Sequence, residues 1–224
     1  MLRVTTKFDR PDPDLVRRLG KYSSATIHEA QGRLGALSSA IKPVDHTMSL
    51  CGPAFTVRCA PRDNLMLQVA IAHAQPGDVI VVSAGEYPEA GSFGDVLATA
   101  CQAKGLAGLV TDTGVRDTRE LRELGFPVFS FSVSIKGTVK ETIGPLASPV
   151  LVGGELIRPG DVVRGDADGV VVVRQEDLPT AIRQSQDRED AEAAYIADYR
   201  AGRSVIEVSK LASVLQAKGL VIDD

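Results

Sequence analysis

The chain has 224 residues, 44% hydrophobic and 24% charged, enough for a full core in one large domain or two small ones. A net charge of -4 gives no broad basic field for counterion release on nucleic acid. With 4% aromatics and no tryptophan there is little material for base-stacking platforms or aromatic cages, so an acidic small substrate would need a local cationic site.

The pattern predicts two short helices first, in residues 10–37. Asp12 or Asp14 caps the first, with Pro13 in its opening turn and Gly20 at its end; Ser23 or Ser24 caps the second, which fades between Gly32 and Gly35. Residues 44–59 read as a strand broken at Gly52-Pro53. Residues 63–74 carry helical periodicity from an aspartate start. In PGDVIVVSAG a turn leads into a nearly continuous apolar run, the mark of a strand covered on both faces. GDVLATACQAKG reads as a helix closed by Gly105, LAGLVTDTG as a buried strand, TRELRELG as a short helix and FPVFSFSVS as the next strand. GTVKETIG and residues 148–174 follow as short β runs between Gly, Pro and Asp turns. From Gln175 onward the chain reads as helical, with a charge-rich part around residues 187–192 suited to a solvated face or a subunit contact. The whole reads as one α/β domain over residues 1–224, with a mixed sheet and residues 175–224 as a helical C-terminal arm.

Cys51, Cys59 and Cys101 are odd in number and lack CxxC spacing, so they fit neither a disulfide framework nor a zinc knuckle and read as small buried hydrophobes. No apolar run reaches the roughly 18 residues of a membrane span. The start, MLRVTTKFDRPDPD, lacks the apolar core of a signal peptide. These features point to a cytoplasmic protein with neither membrane nor nucleic-acid partners.

Chemistry concentrates in residues 94–117. A helix opening near Asp95 leaves the first backbone N–H groups, around Val96 and Leu97, without intrahelical partners. Gly94 lets a ligand approach that end closely, so it could cradle a carboxylate or phosphate, while Asp95 has the plainer role of an N-cap open to it. Arg116 and Asp117 follow the strand LAGLVTDTG, where α/β proteins tend to place catalytic groups. Arginine can fork onto a carboxylate or enolate, and aspartate is a hard oxygen ligand for magnesium or manganese. The alternative is that Asp117 caps the helix TRELRELG and Arg116 makes a surface ion pair.

Other candidates are weaker. Lys104, Lys136 and Lys140 are the lysines considered for a Schiff base, and each reads as part of a solvated face. His28, His46 and His73 share no ligand spacing. DADG at residues 166–169 lacks the glutamate of a calcium loop, GGELIRPG lacks the Gly-Lys-Ser/Thr of a phosphate loop, and no strand-GxGxxG-helix unit is present.

The blocks CGPAFTV, DNLMLQVA, PGDVIVV, KGTV and RPGDVVRGDADGVVVV resemble the 4-hydroxy-4-methyl-2-oxoglutarate aldolase family, which shares its fold with the regulator of ribonuclease E activity A. So does the longer run FGDVLATACQAKGLAGLVTDTGVRDTRELRELGFPVF. The most specific feature is Asp95, a gap of 20 residues, then Arg116-Asp117. The resemblance implies a mixed sheet flanked by helices, of the swivelling phosphohistidine-domain type. It implies metal-dependent cleavage of a 4-hydroxy-2-oxo acid to pyruvate, with oxaloacetate decarboxylation as a side activity and Mg2+ or Mn2+ as cofactor. Asp117 would hold the metal and Arg116 the pyruvoyl enolate. The N–H groups of Val96 and Leu97, opened by Gly94, would take the substrate carboxylate, and Asp95 would stand behind the metal near one of its waters. Homotrimers or homohexamers are implied, with Glu189 or Glu192 reaching a neighbour's site. SAGEYPEAGSFGD departs from the family's pattern and the C-terminal arm matches loosely; both bear on the substrate's distal half. The rival reading is a non-catalytic regulator that binds a ribonuclease.

Overall fold

Strands and helices alternate through the first two thirds of the chain, and the computed structural model describes residues 5–220. Helices α1 (Pro13–Leu19) and α2 (Ser24–Ala30) come first, then β1 (Lys42–Pro43), β2 (Leu50–Arg58), α3 (Leu65–His73), β3 (Val79–Ser83), β4 (Gly91–Phe93) and α4 (Asp95–Ala103). Next come β5 (Gly108–Val115), α5 (Thr118–Leu124), β6 (Val128–Val133), β7 (Val150–Val152), β8 (Glu155–Ile157), β9 (Val162–Asp166) and β10 (Gly169–Val173). Helices α6 (Leu178–Arg200), α7 (Val205–Val208) and α8 (Ala212–Ala217) end the described chain. Residues 1–4 and 221–224, parts of the expected domain and arm, lie outside the described residues.

The main sheet runs β1-β6-β5-β3-β2-β9-β10, with β4 added alongside β5, and β7 and β8 form a separate hairpin. Its centre is parallel, β2 with β3, β3 with β5 and β5 with β6, while β1, β9 and β10 join antiparallel. This is the expected mixed sheet. The parallel strands are apolar throughout because both faces are covered. On one face Leu67 and Ile71 of α3, Ala98 and Cys101 of α4 and Leu121 of α5 meet Ile80, Val82 and Leu109. On the other, Val79, Val81 and Val110 meet Val150, Val152 and Ile157 of the β7–β8 hairpin. A third cluster joins α1, α2 and the start of α6 to β9 and β10. Each large aliphatic side chain buried in these layers contributes about 1.5–3 kcal/mol.

Local chemistry settles several open ends. Asp12 caps α1, accepting from Asp14 N–H at 2.8 Å, and Ser23 caps α2, accepting from Thr26 N–H at 3.0 Å. The expected break at Gly52-Pro53 is absent: β2 passes straight through it. Pro53 sits where β2 leaves β9 (Pro53 opposite Val162) and takes up β3 (Ala54 opposite Val79), so its missing N–H falls at a change of partner. Residues 44–49 are turn rather than strand, and GTVKETIG forms no strand beyond one bridge between Asp63 and Val139. The three-residue β4 carries too little pattern to be read from sequence. The arm is helical as expected, but it breaks at Gly202 and again near Lys210.

Candidate active site

Three parallel crossovers leave the C-terminal ends of β3, β5 and β6 at one edge, and the predicted residues gather there. Strand β3 accompanies β5 only as far as Thr111; β4 then takes its place, Gly91 opposite Gly114 and Phe93 opposite Val115. Arg116 N–H closes this ladder on Phe93 C=O at 2.9 Å. The start of α4 is thereby fixed beside the Arg116-Asp117 corner.

The N-cap of α4 is Gly94, not Asp95. Asp95 is the first helical residue, and its Oδ1 accepts from Val96 N–H at 2.7 Å. A carboxylate ligand would have to share or displace that bond. Asp117 stands at the N-cap position of α5, yet its side chain makes no capping bond. Its backbone is left-handed, φ 56° and ψ 42°, a conformation that costs energy for any residue with a Cβ. What that geometry achieves is placement: a Cβ on Gly94 would stand 2.1 Å from Asp117 Oδ2 and 3.1 Å from Arg116 Cγ. Arg116 and Asp117 do not point apart. Arg116 Nε lies 3.4 Å from Asp117 Oδ2, with both side chains partly open to solvent.

These residues line a cleft of about 320 Å³ together with Gly91, Ser92, Leu97, Asn64, Gln68, Gly137, Thr138 and Lys140. Asn64 and Gln68 were not singled out by sequence. Asn64 is buried, donates to Ser92 C=O at 3.0 Å and accepts from Gln68 Nε2 at 3.2 Å, tying α3 to β4. Its position at the head of a periodic helix beside Asp63 was the available signal. Lys140 is exposed, as expected of a solvated face, and lies on the cleft's rim. Its segment is pinned by Asp63, whose carboxylate accepts from Leu65, Glu141 and Thr142 N–H at 2.9, 2.9 and 2.7 Å. Burial would raise the Asp63 carboxyl, but these donors outweigh it and hold the group below its ordinary value.

The remaining candidates fall elsewhere. Lys104 donates to Ile71 C=O at 2.9 Å and to Ala72 C=O, and Lys136 pairs with Glu89. Glu189 and Glu192 lie on α6, away from the cleft lining, with Glu192 paired to Arg188 at 2.9 Å. Burial pushes the thiols of Cys51, Cys59 and Cys101 up to about 11, 12 and 12; Cys59 and Cys101 are inert core positions as expected, while Cys51 is only partly buried beside α1.

Among the described residues no cluster of three or more His, Cys, Asp or Glu could enclose a metal. An open site of one or two carboxylates is what magnesium or manganese uses when waters and substrate oxygens complete the shell. Asp117, uncapped and seated in the space that Gly94 leaves, fits such a role.

A family model described as RraA-like, Aldolase/RraA, matches residues 24–172. The chain belongs to this RraA-like family. A Halalkalibacterium halodurans protein provisionally named 4-hydroxy-4-methyl-2-oxoglutarate aldolase is 35% identical over 188 residues, covering 83% of this chain and 90% of the relative. Streptomyces coelicolor RraAS2, described as an unusual member of the RNase ES inhibitor RraA family, superposes with a TM-score of 0.72 at 31% identity. It covers 84% of this chain and 98% of its own. The RNA-processing inhibitor RraA from Thermus thermophilis gives a TM-score of 0.62 at 27% identity, over 67% of this chain and 91% of its own. RraA-like proteins thus carry two kinds of name, lyase and inhibitor. Among the described residues of this RraA-like chain, no helix is long and apolar enough to cross a membrane.

Proposed function

We propose that this chain is a divalent-metal-dependent pyruvate aldolase. It cleaves a 4-hydroxy-2-oxo acid, such as 4-hydroxy-4-methyl-2-oxoglutarate or 4-carboxy-4-hydroxy-2-oxoadipate, and decarboxylates oxaloacetate as a side reaction. The observation that carries this reading is the seating of the Asp117 carboxylate against Gly94, beside Arg116 and the first turn of α4.

Cleavage removes the proton of the C4 hydroxyl, breaks the C3–C4 bond and leaves the electron pair on a pyruvate enolate, which is then protonated at C3. Asp117 would hold Mg2+ or Mn2+. The cation's chemistry is to draw charge from the 2-oxo and carboxylate oxygens as the enolate forms. Arg116 presents a planar fork to the same oxygens, and a preorganised donor of that kind is worth about 100-fold or more in rate. The N–H groups of Val96 and Leu97 receive the 1-carboxylate, with Val96 released by Asp95. Asp95 is assigned to the C4 hydroxyl proton, directly or across one water. Lys140, on the rim, supplies a cation for a carboxylate on the distal half. A homotrimer or homohexamer in the cytoplasm, with Glu189 or Glu192 of a neighbour at the cleft mouth, belongs to the same proposal.

The inhibitor names of the two solved relatives favour a second reading, a surface regulator of a ribonuclease. The cleft favours the enzyme, because an interaction surface needs no left-handed aspartate. Pyruvate release from a 4-hydroxy-2-oxo acid, with and without EDTA, separates the two.

A further inference from the structure

A buried carboxylate that the mechanism does not use lies five residues before Asp117. Asp112, on β5, is 1% exposed, and no ion pair reaches it among the described residues. Its partners are donors on the segment that follows β3. Oδ1 accepts from Ala84 N–H at 2.5 Å, and Oδ2 lies 3.3 Å from Ser83 Oγ, which also donates to Leu151 C=O at 2.9 Å. Gly85 and Glu86 follow with φ of 77° and 54°, a left-handed turn whose amides favour the charged form of the carboxyl.

The location gives this anchor its consequence. Asp112 and Thr113 lie where β5 loses β3 and has not yet gained β4, and where its register with β6 also shifts, between Thr111 and Gly114. With no ladder there, side chains hold the 84–90 segment. Thr113 Oγ1 donates to Tyr87 C=O at 2.5 Å and Ser132 Oγ donates to Pro88 C=O at 2.6 Å. Gly114 admits the Ala90 carbonyl, which a Cβ would meet at 2.6 Å. The segment held at Asp112 runs on into β4, Gly94 and Asp95, while β5 itself runs on into Arg116 and Asp117.

We propose that Asp112 is a positioning residue: its carboxylate fastens the 84–90 segment to β5 and so sets where Gly94 and the first turn of α4 stand relative to Arg116 and Asp117. The proposal rests on the reading of that cleft as the reaction centre. The requirement is for acceptor oxygens more than for charge. Asparagine keeps one acceptor for the Ala84 N–H and can turn its NH2 toward Ser83 Oγ; alanine keeps none.

The test is amide hydrogen exchange on the intact chain, paired with the dissociation constant for Mn2+ alone. In Asp112→Ala, exchange should rise about tenfold or more across residues 84–97 while β9 and β10 keep their protection, and Mn2+ should bind about tenfold more weakly. Asp112→Asn should recover most of both losses, which a plain core defect would not do. Should Asp112→Ala fail to fold, Gly85→Ala strains the turn that presents the amides and must give the same pattern. Faster exchange confined to residues 84–90, faster exchange in every strand alike, or unchanged Mn2+ affinity in a folded variant would overturn the proposal. If the parent protein neither holds Mn2+ nor releases pyruvate, the functional reading falls, and the exchange pattern alone decides whether Asp112 positions the α4 start.

Discussion

Asp117 Oδ2 occupies the space that a side chain at position 94 would fill: a Cβ built on Gly94 stands 2.1 Å from it. Gly94 has φ -150° and ψ -167°, an extended backbone that alanine adopts without strain. Gly94→Ala should therefore fold normally, yet displace the carboxylate and Arg116 by the order of an ångström. A shift of that size costs about 100-fold in rate when it falls on reacting groups. Steady-state kinetics with circular dichroism as the folding control measure it. Parent-level turnover in the alanine variant would mean that Asp117 need not sit against Gly94.

Asp117 itself separates stability from chemistry. Its left-handed backbone costs of order 1 kcal/mol, somewhat less for aspartate than for most residues, and glycine adopts that geometry freely. Asp117→Gly should stay within about 1 kcal/mol of the parent in urea unfolding, because glycine's entropy in the unfolded chain offsets the relief. It should nevertheless lose metal binding and activity. Strong destabilisation would show that the carboxylate is a structural cap after all.

Much of the fold was legible because its strands are buried on both faces and its turns carry Gly, Pro and Asp. Residues 79–83 and 108–115 stand out as apolar runs for that reason. The failures share a cause. Gly52-Pro53 reads as a break, yet a proline is tolerated where a strand changes neighbours, and that is a tertiary fact. β4 is three residues long and exists because β5 outruns β3. That Asp95, Arg116 and Asp117 fall at one helix start and one strand end was legible from residue type and spacing, and the three line one cleft. The contact of Arg116 with Asp117, the bond from Val96 to Asp95, and the place of Asn64 and Gln68 depend on loop paths that no local pattern encodes.

Arg116→Lys keeps the charge and loses the two-point fork. It should lower kcat/KM for aldol cleavage and for oxaloacetate decarboxylation together, by about 3 kcal/mol, since both pass through one enolate. Excess Mg2+ should not rescue it, whereas conservative changes at Asp117 should respond to metal. Loss of cleavage with decarboxylation intact would place Arg116 on the distal half of the substrate.

The buried carboxylates Asp63 and Asp112 give opposite pH signatures. Asp63, held below its ordinary 3.8, contributes stability that is present above that value and lost as pH falls through its folded value. For Asp112, burial pushes the carboxyl up against the Ala84, Glu86 and Gly85 amides and the Ser83 hydroxyl. Its contribution is full below the ordinary 3.8 and is lost as pH rises through the raised folded value. Asp63→Asn should flatten the fall in stability below about pH 4, and Asp112→Asn should remove the opposing slope above it. Asp63→Ala should cost about 1–3 kcal/mol and no more, because the released amides of Glu141 and Thr142 can reach water. Urea titrations across pH read all three. An unchanged acid limb in Asp63→Asn would contradict the assignment.

The central claim is metal-dependent cleavage at the Asp95, Arg116 and Asp117 cleft, and pyruvate release tests it most directly. The assay follows 4-hydroxy-4-methyl-2-oxoglutarate with purified protein, first after exhaustive EDTA treatment and then during readdition of Mg2+ or Mn2+. The account predicts no turnover after chelation, full recovery with metal, and no recovery in Asp117→Ala at metal concentrations that saturate the parent. Undiminished pyruvate release in EDTA, or borohydride trapping of substrate on a lysine such as Lys140, would contradict it.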